Sequence, residues 1–312
     1  MPQPANSLAK MPVENKVIYD RNLLERLLPF FIFLEHGMKH DPKSQPKNEG
    51  DTVNWRRFNS LPVPAESLTE GVTPAGRNLS ISQIIATVKQ EGDYVVLTDL
   101  LDLIGIDPVI LETTDLISEQ AALTLETRVR DIVFNGTNVW YVGGGINRGA
   151  VGAADVLTGT EARRLRQIMA RNNVKPIGTE FIGITHPDCA YDMKGSAEWL
   201  AAHLYGSPEN LFTGEVGKLH GIRWIETTMC PIWVGQGDGG IDVYGSMVLG
   251  QGAYGVVDIQ GSAKPEVIVH QLGSSGVSDA LNQRSSVGWK ALMTAVRLQE
   301  LAMIRVESAS AI

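Results

Sequence analysis

Cysteine is nearly missing from this sequence: Cys189 and Cys230 are the only two in 312 residues. A disulfide framework is thereby excluded, and both thiols suit a reducing compartment in which neither need be bridged. Long apolar runs are missing too. No stretch reaches the roughly 18 residues that a membrane-spanning helix requires, so no membrane partner is expected. The opening residues, Met1-Pro2-Gln3-Pro4-Ala5-Asn6, carry neither a basic nor an apolar stretch, which argues against secretion. A basic excess is the third absence. The formal charge is −8, whereas a protein that grips nucleic acid through its phosphates normally shows a positive balance. Tight wrapping of DNA is not expected.

Enzymatic signatures are scarce as well. Neither G-x-x-x-x-G-K-[ST] nor G-x-S-x-G occurs. Gly235-Gln236-Gly237-Asp238-Gly239-Gly240 matches G-x-G-x-x-G in form, which keeps a nucleotide-binding oxidoreductase as a remote alternative. That fingerprint needs a strand before it and a helix N-terminus after it to hold a pyrophosphate. Ile241-Asp242-Val243-Tyr244 follows and reads as a strand, so a hairpin turn is expected. The tightest set of metal-ligating types is His186-Pro187-Asp188-Cys189, with His220 and Cys230 further on. Zinc sites normally use two pairs of closely spaced ligands. A single pair is present, and His186-Pro187 reads equally well as the cap of a short helix. The six histidines show no triad arrangement. Arg163, Arg164, Arg166 and Arg171 form a basic helix face that suits solvent or acidic neighbours better than phosphate. No catalytic, cofactor-binding or metal residue is assigned, and no cofactor is expected.

What is present is material for a core, and one unusual segment. Hydrophobic residues make up 43% and charged residues 20%, an ordinary balance that can fill a core. Residues up to about 48 do not read as a domain. An apolar stretch from Arg21 to Glu35, including Leu27, Phe30 and Phe31, is followed by the proline-broken linker His40 to Asn48. An apolar patch on a tail has to be buried on the body or on a neighbour. Thr52 to Phe58 and Ile81 to Val88 are rich in β-branched and aromatic residues and read as strands. Between them, Pro62 to Gly76 holds three prolines and two glycines, which forbid a helix. The result is a long hairpin with too few apolar side chains for a core of its own. An isolated ribbon is marginal in water, so it is expected to lie on something else.

Asp107-Pro108 opens a helix over about 108–135, with Asp as N-cap and Pro at the first position. Ile110, Thr114, Ile117, Ala121, Leu125, Val129 and Ile132 share one face. Glu112, Asp115, Glu119, Glu126 and Arg130 take the other, with Glu126 and Arg130 as an i,i+4 pair. At 1.5 Å per residue this helix is about 40 Å long, a structural spine. A glycine-rich connector, Gly143 to Gly149, leads to a second helix, Thr160 to Asn172. Extended segments are expected at Glu180 to Thr185, His220 to Glu226, Ile241 to Leu249 and Val267 to His270. Helices are expected at Pro187 to Met193 and Ala197 to Tyr205. Trp289 to Val306 is contested, because its Ala, Leu and Met content favours a helix.

Several blocks, in order along the chain, resemble one family. Leu68-Thr69-Glu70-Gly71-Val72-Thr73-Pro74 and Gly92-Asp93-Tyr94-Val95 with Thr98-Asp99 look like the hairpin of major capsid proteins of the phage N-four type. Thr185 to Asp192 and Gly214 to Thr227 are similar to later elements of that family. So are Gly273, Asp279, Leu281, Asn282-Gln283-Arg284 and Val287-Gly288-Trp289-Lys290. The resemblance spans about Arg21 to Glu307. It implies an α+β fold of the Johnson type, also called Hong Kong ninety-seven-like. Its parts are an N-terminal arm (1–48), an E-loop hairpin (49–98), a peripheral domain with the spine helix (99–175), an axial domain (176–258) and a return to the peripheral domain (259–312). Under this resemblance Trp289 to Val306 is strand.

The resemblance further implies a shell protein that assembles with itself into hexamers and pentamers of an icosahedral head around double-stranded DNA. DNA would be enclosed without sequence-specific binding. Portal and scaffolding or decoration proteins would be partners, with assembly in the bacterial cytoplasm and final residence in the virion. Trp55, Phe58, Leu68, Val72 and Pro74 of the E-loop, and Leu27, Phe30 and Phe31 of the arm, are then expected to be contacts between subunits. An encapsulin-like nanocompartment shell is the alternative within the same fold.

Overall fold

A computed structural model of the chain describes residues 32–39, 51–64, 67, 70–71, 73, 76–104, 109–197, 199, 217–258, 266–271, 279 and 281–311. The organising element is the helix α3, Val109–Phe134, preceded by the short helices α1 (Phe33–His36) and α2 (Asp99–Ile104). Ile117, Ala121, Leu125, Val129 and Val133 recur every four residues on α3 and are buried, the spacing that keeps one helix face on a core. The expected opening at Asp107-Pro108 lies outside the described residues.

That face packs on a sheet of five strands. At its centre is β13, Arg284–Arg297, in which Val287, Trp289, Ala291, Met293 and Ala295 alternate as buried residues. Large and small side chains take turns along this row, which lets a helix lie close to a strand. On one side β13 pairs antiparallel with β4 (Lys89–Thr98), from Arg284↔Thr98 to Met293↔Lys89. On the other it meets β12 (Glu266–His270) and β11 (Tyr254–Asp258), and β1 (Met38–Lys39) adds to β11 in parallel. The contested segment from Trp289 is therefore strand. Helix propensity there is overridden by the period-two burial against α3.

A second sheet has seven strands. Its main path runs β5 (Val139–Tyr141), β14 (Met303–Ser308), β10 (Val243–Leu249), β6 (Phe181–Thr185), β8 (Ile222–Glu226), β7 (Lys218–Leu219), with β9 (Ile232–Trp233) also on β10. This sheet is covered on both faces. Ile182, Ile184, Met247, Leu249 and Met303 join the core under α3. Phe181, Ile222, Trp224, Val248, Ile304 and Val306 join a second core. That second core is closed by α4 (Gly159–Arg171), through Ala162, Leu165 and Met169, and by α5 (Pro187–Gly195), through Cys189, Ala190 and Met193. Strands covered on both faces read as continuous apolar runs rather than alternating ones, which is how β6 and β10 are composed.

Three expectations change at this level. The chain enters the second sheet at β5, upstream of the boundary expected after 175, because the apolar face of α4 docks on that sheet. The return expected over 259–312 is divided: β13 lies under α3, but β14 crosses to pair with β10, since Met303 on one face and Ile304 and Val306 on the other each have a core to fill. His220 does not begin a strand. With Gly221 it forms a tight turn between β7 and β8, both residues having positive φ, 51° and 76°, as a two-residue hairpin loop requires.

The glycine-rich stretch from Gly235 lies between β9 and β10 and contains a short 3-10 turn, Asp238–Gly240. A strand follows it, not a helix, so the donors that would hold a pyrophosphate are not assembled there. His186 caps α5 as the sequence suggested: its Nδ1 accepts from the Asp188 N–H at 3.3 Å, with Pro187 at the first turn. Arg164 pairs with Glu161 at 3.6 Å, and Arg166 lies over the Phe181 ring at 5.0 Å. No helix among the described residues is long and apolar enough to cross a membrane.

Candidate assembly interface

The hairpin is a separate ribbon of two strands, β2 (Thr52–Phe58) and β3 (Ile81–Thr87), paired from Thr52↔Thr87 to Phe58↔Ile81. Because directly opposed residues share a face, this register sorts the side chains. Val53, Trp55, Ile84 and Ala86 point one way, and Val53 and Ala86 are buried. The Trp55 ring occupies the space over Gly255 in β11, where a Cβ would come within 2.9 Å of it. Trp55, expected as a contact with a neighbour, is thus the root that fastens the ribbon to its own subunit.

The other face carries Phe58, Ile81 and Ile85 with Arg56, Asn54 and Gln83. Phe58 is 67% exposed and Ile85 61%. Leu61, Val63 and Leu79 continue the exposed apolar surface beyond the strands. Each such side chain gains roughly 1.5–3 kcal/mol when fully buried. The ribbon's own polar bonds do not use that surface: Asn59 Nδ2 donates to Ser80 Oγ at 3.1 Å and Ser82 Oγ to Asn59 Oδ1 at 2.8 Å. Phe58, expected as a contact between subunits, is exposed, and the sequence did not single out Leu61, Val63, Leu79, Ile81 or Ile85 as outward residues. The pairing register, which decides the face of each, is not visible in one strand alone. Leu68, Val72 and Pro74 lie outside the described residues, as do Leu27, Phe30 and Phe31.

A second outward surface lies where two glycine-rich loops meet. Glu307 is fully buried, and Arg148 grips it with two hydrogen bonds, Nε to Oε2 at 2.7 Å and Nη2 to Oε1 at 2.9 Å. Arg305 adds a contact at 2.9 Å. Paired, bidentate contacts of this kind are what allow a carboxylate to sit in a core. The same Arg148 stacks 3.6 Å from the Trp233 ring centre and donates to Gln236 Oε1 at 2.8 Å. One guanidinium therefore ties the 143–149 connector to the 235–240 turn. Ile146, 90% exposed, and Val234, 74% exposed, stand out from these two loops.

The segment Ile32–His36 is attached to α3 by Glu126. This residue is fully buried, and it does not pair with Arg130 as its spacing suggested. Arg130 instead contacts Asp131 at 2.7 Å and the Met229 carbonyl at 3.2 Å. The spacing puts Glu126 on the polar face of α3; instead the segment Ile32–His36, whose Ile32 and Phe33 belong to the first core, covers it. The covering segment is more than ninety residues distant in sequence, out of reach of any local pattern.

The two thiols are buried. Burial pushes the Cys189 thiol up to about 12, and Cys230, wholly buried, is pushed higher still. Both stay protonated and unreactive at ordinary pH. Burial holds His186 below its usual value against the opposing pull of Asp188. Among the described residues no three His, Cys, Asp or Glu side chains converge as metal ligands.

No family model matches the sequence, and no curated protein matches it. Solved structures do match. The capsid of the cyanophage P-SCSP1u aligns with a TM-score of 0.72 at 13% identity, over 95% of this chain and 94% of that one. The capsid of the cyanophage Pam1 aligns with a TM-score of 0.73 at 13% identity, over the whole of both chains. The capsid of Ralstonia phage GP4 gives 0.68 at 12% identity, over 98% of each. With the spine helix, the two sheets and the projecting ribbon in one order, the chain has the Johnson-type α+β fold of phage capsid subunits.

Proposed function

We propose that this chain is a major capsid protein, a structural rather than catalytic molecule whose copies form hexamers and pentamers of an icosahedral head around double-stranded phage DNA. The observation that carries this reading is the ribbon β2–β3, fastened by Trp55 at its root and exposing Phe58, Ile81 and Ile85 on the face turned away from its own subunit. A neighbouring copy supplies the burial that the ribbon lacks. Exposed strand edges that elsewhere invite aggregation are here a means of assembly.

In this reading residues up to 48 are the arm and the ribbon with its loop is the E-loop. The sheet under α3 is the peripheral domain, and the two-faced sheet with α4 and α5 is the axial domain. The loops pinned by Arg148 lie at an end of the axial domain and present Ile146 and Val234 to other copies around a symmetry axis. Leu68, Val72 and Pro74, with Leu27, Phe30 and Phe31 of the arm, extend the contacts between copies. Portal and scaffolding or decoration proteins complete the particle, which is assembled in the host cytoplasm. A charge of −8 suits a wall that encloses DNA without adhering to it. The narrower likeness to the phage N-four type rests on the sequence blocks alone.

Deleting residues 62–76 tests the proposal. The shortened chain should remain folded and soluble but form no closed shells by electron microscopy. Normal particles from it would sink the reading.

A further inference from the structure

Glu126 is an unexpected residue to find in a protein interior. Three successive backbone N–H groups, of Ile32, Phe33 and Leu34, donate to its carboxylate at 2.5, 2.5 and 3.0 Å. Beside it Phe33 is fully buried, its ring edge-on to Phe134 with centroids 5.8 Å apart. The Tyr254 hydroxyl donates to the Phe33 carbonyl at 2.5 Å. A helix of only four residues is thus held from α3, from β11 and by its own aromatic seat.

An apolar side chain at position 126 would serve packing as well or better, since exchanging a buried charge for a hydrophobic residue is often neutral or stabilising. What a carboxylate adds is selectivity. It is satisfied only when a segment with free N–H groups lies at the right height, and without one it is a buried anion lacking donors. The Phe33 seat fixes the register of that segment, because a shift by one residue would carry the ring off Phe134.

We propose that Glu126 is a positioning residue for the N-terminal arm, fixing the place and register of its root, Ile32–His36, on α3. Its consequence for assembly rests on the reading of the arm as a contact between copies. Docking of the arm root does not, and can be read on the isolated subunit. Residues 27–31, which precede the clamp, then start from one defined place on every copy. Contacts they make with a neighbour inherit the geometry of α3.

The test is Glu126→Gln in the full-length chain, which keeps the side chain's size and puts an N–H where an acceptor was. Chymotryptic cleavage after Phe33 or Leu34, identified by mass spectrometry, should become at least about tenfold faster under native conditions. The urea midpoint of the body should change little, and particles should lose their uniform diameter. Tyr254→Phe, which removes one hydrogen bond, should give a smaller rise in the same cut. If Glu126→Gln does not fold, Phe33→Ala opens the seat from the arm side and is read the same way. An arm root that stays as protected as in the unaltered chain overturns the proposal, as does release seen only together with global unfolding. An unaltered chain that never forms particles overturns the shell reading and leaves the cleavage result standing.

Discussion

The ribbon β2–β3 and the central pair β10–β14 are both antiparallel, and they differ in almost everything else. In β10 and β14 every residue but Tyr244 and Arg305 is buried. In the ribbon's fourteen strand residues only Val53 and Ala86 are buried. The central pair is stabilised on both faces by side chains of its own subunit. The ribbon is stabilised on one face at its root and has the rest of its apolar surface in water. Hydrogen bonding between strands is alike in the two, so burial decides which of them is self-sufficient.

The sharpest way to test that contrast is to remove the same kind of group from each. Ile304→Ala, in the middle of β14, should cost about 2–5 kcal/mol of subunit stability, read as a lower urea midpoint. Arg148→Ala should cost less, about 2 kcal/mol in the same assay. A fully buried pair costs about 3–5 kcal/mol to break, but Arg148 keeps 24% of its side chain exposed and Arg305 still contacts Glu307. Phe58→Ser or Ile85→Ser on the ribbon should move the midpoint of the isolated subunit by no more than about 0.5 kcal/mol. Either should nevertheless raise the protein concentration needed for shells to form, measured by light scattering. A ribbon substitution that destabilised the subunit as much as Ile304→Ala would erase the distinction.

Sequence carried the contrast part of the way. The helix over Val109–Phe134 was legible because its apolar residues recur at helical spacing. The ribbon was legible because prolines and glycines surround two short β-branched runs. Glu126 was assigned to the polar face of its helix and is buried, since helical spacing reports angle and not what lies opposite. The strand from Arg284 did carry its signal, Val287, Trp289, Ala291, Met293 and Ala295 at every second position. Local propensity of Ala, Leu and Met obscured it. Membership of β14 in the second sheet had no local signature, because both its faces are apolar and its partner β10 lies over fifty residues upstream. Outward residues such as Ile81 and Ile85 became identifiable once the register of the hairpin was known.

The position of β14 also bears on the order of events during synthesis. It enters between β5 and β10, yet it is translated after every other strand of either sheet. Until Met303–Ser308 emerge from the ribosome, the buried Arg148 partner Glu307 is absent and β5 has no strand to pair with. β14 also contributes to both cores, through Met303 to one and Ile304 and Val306 to the other. The second sheet is therefore completed only after the ribbon has been made.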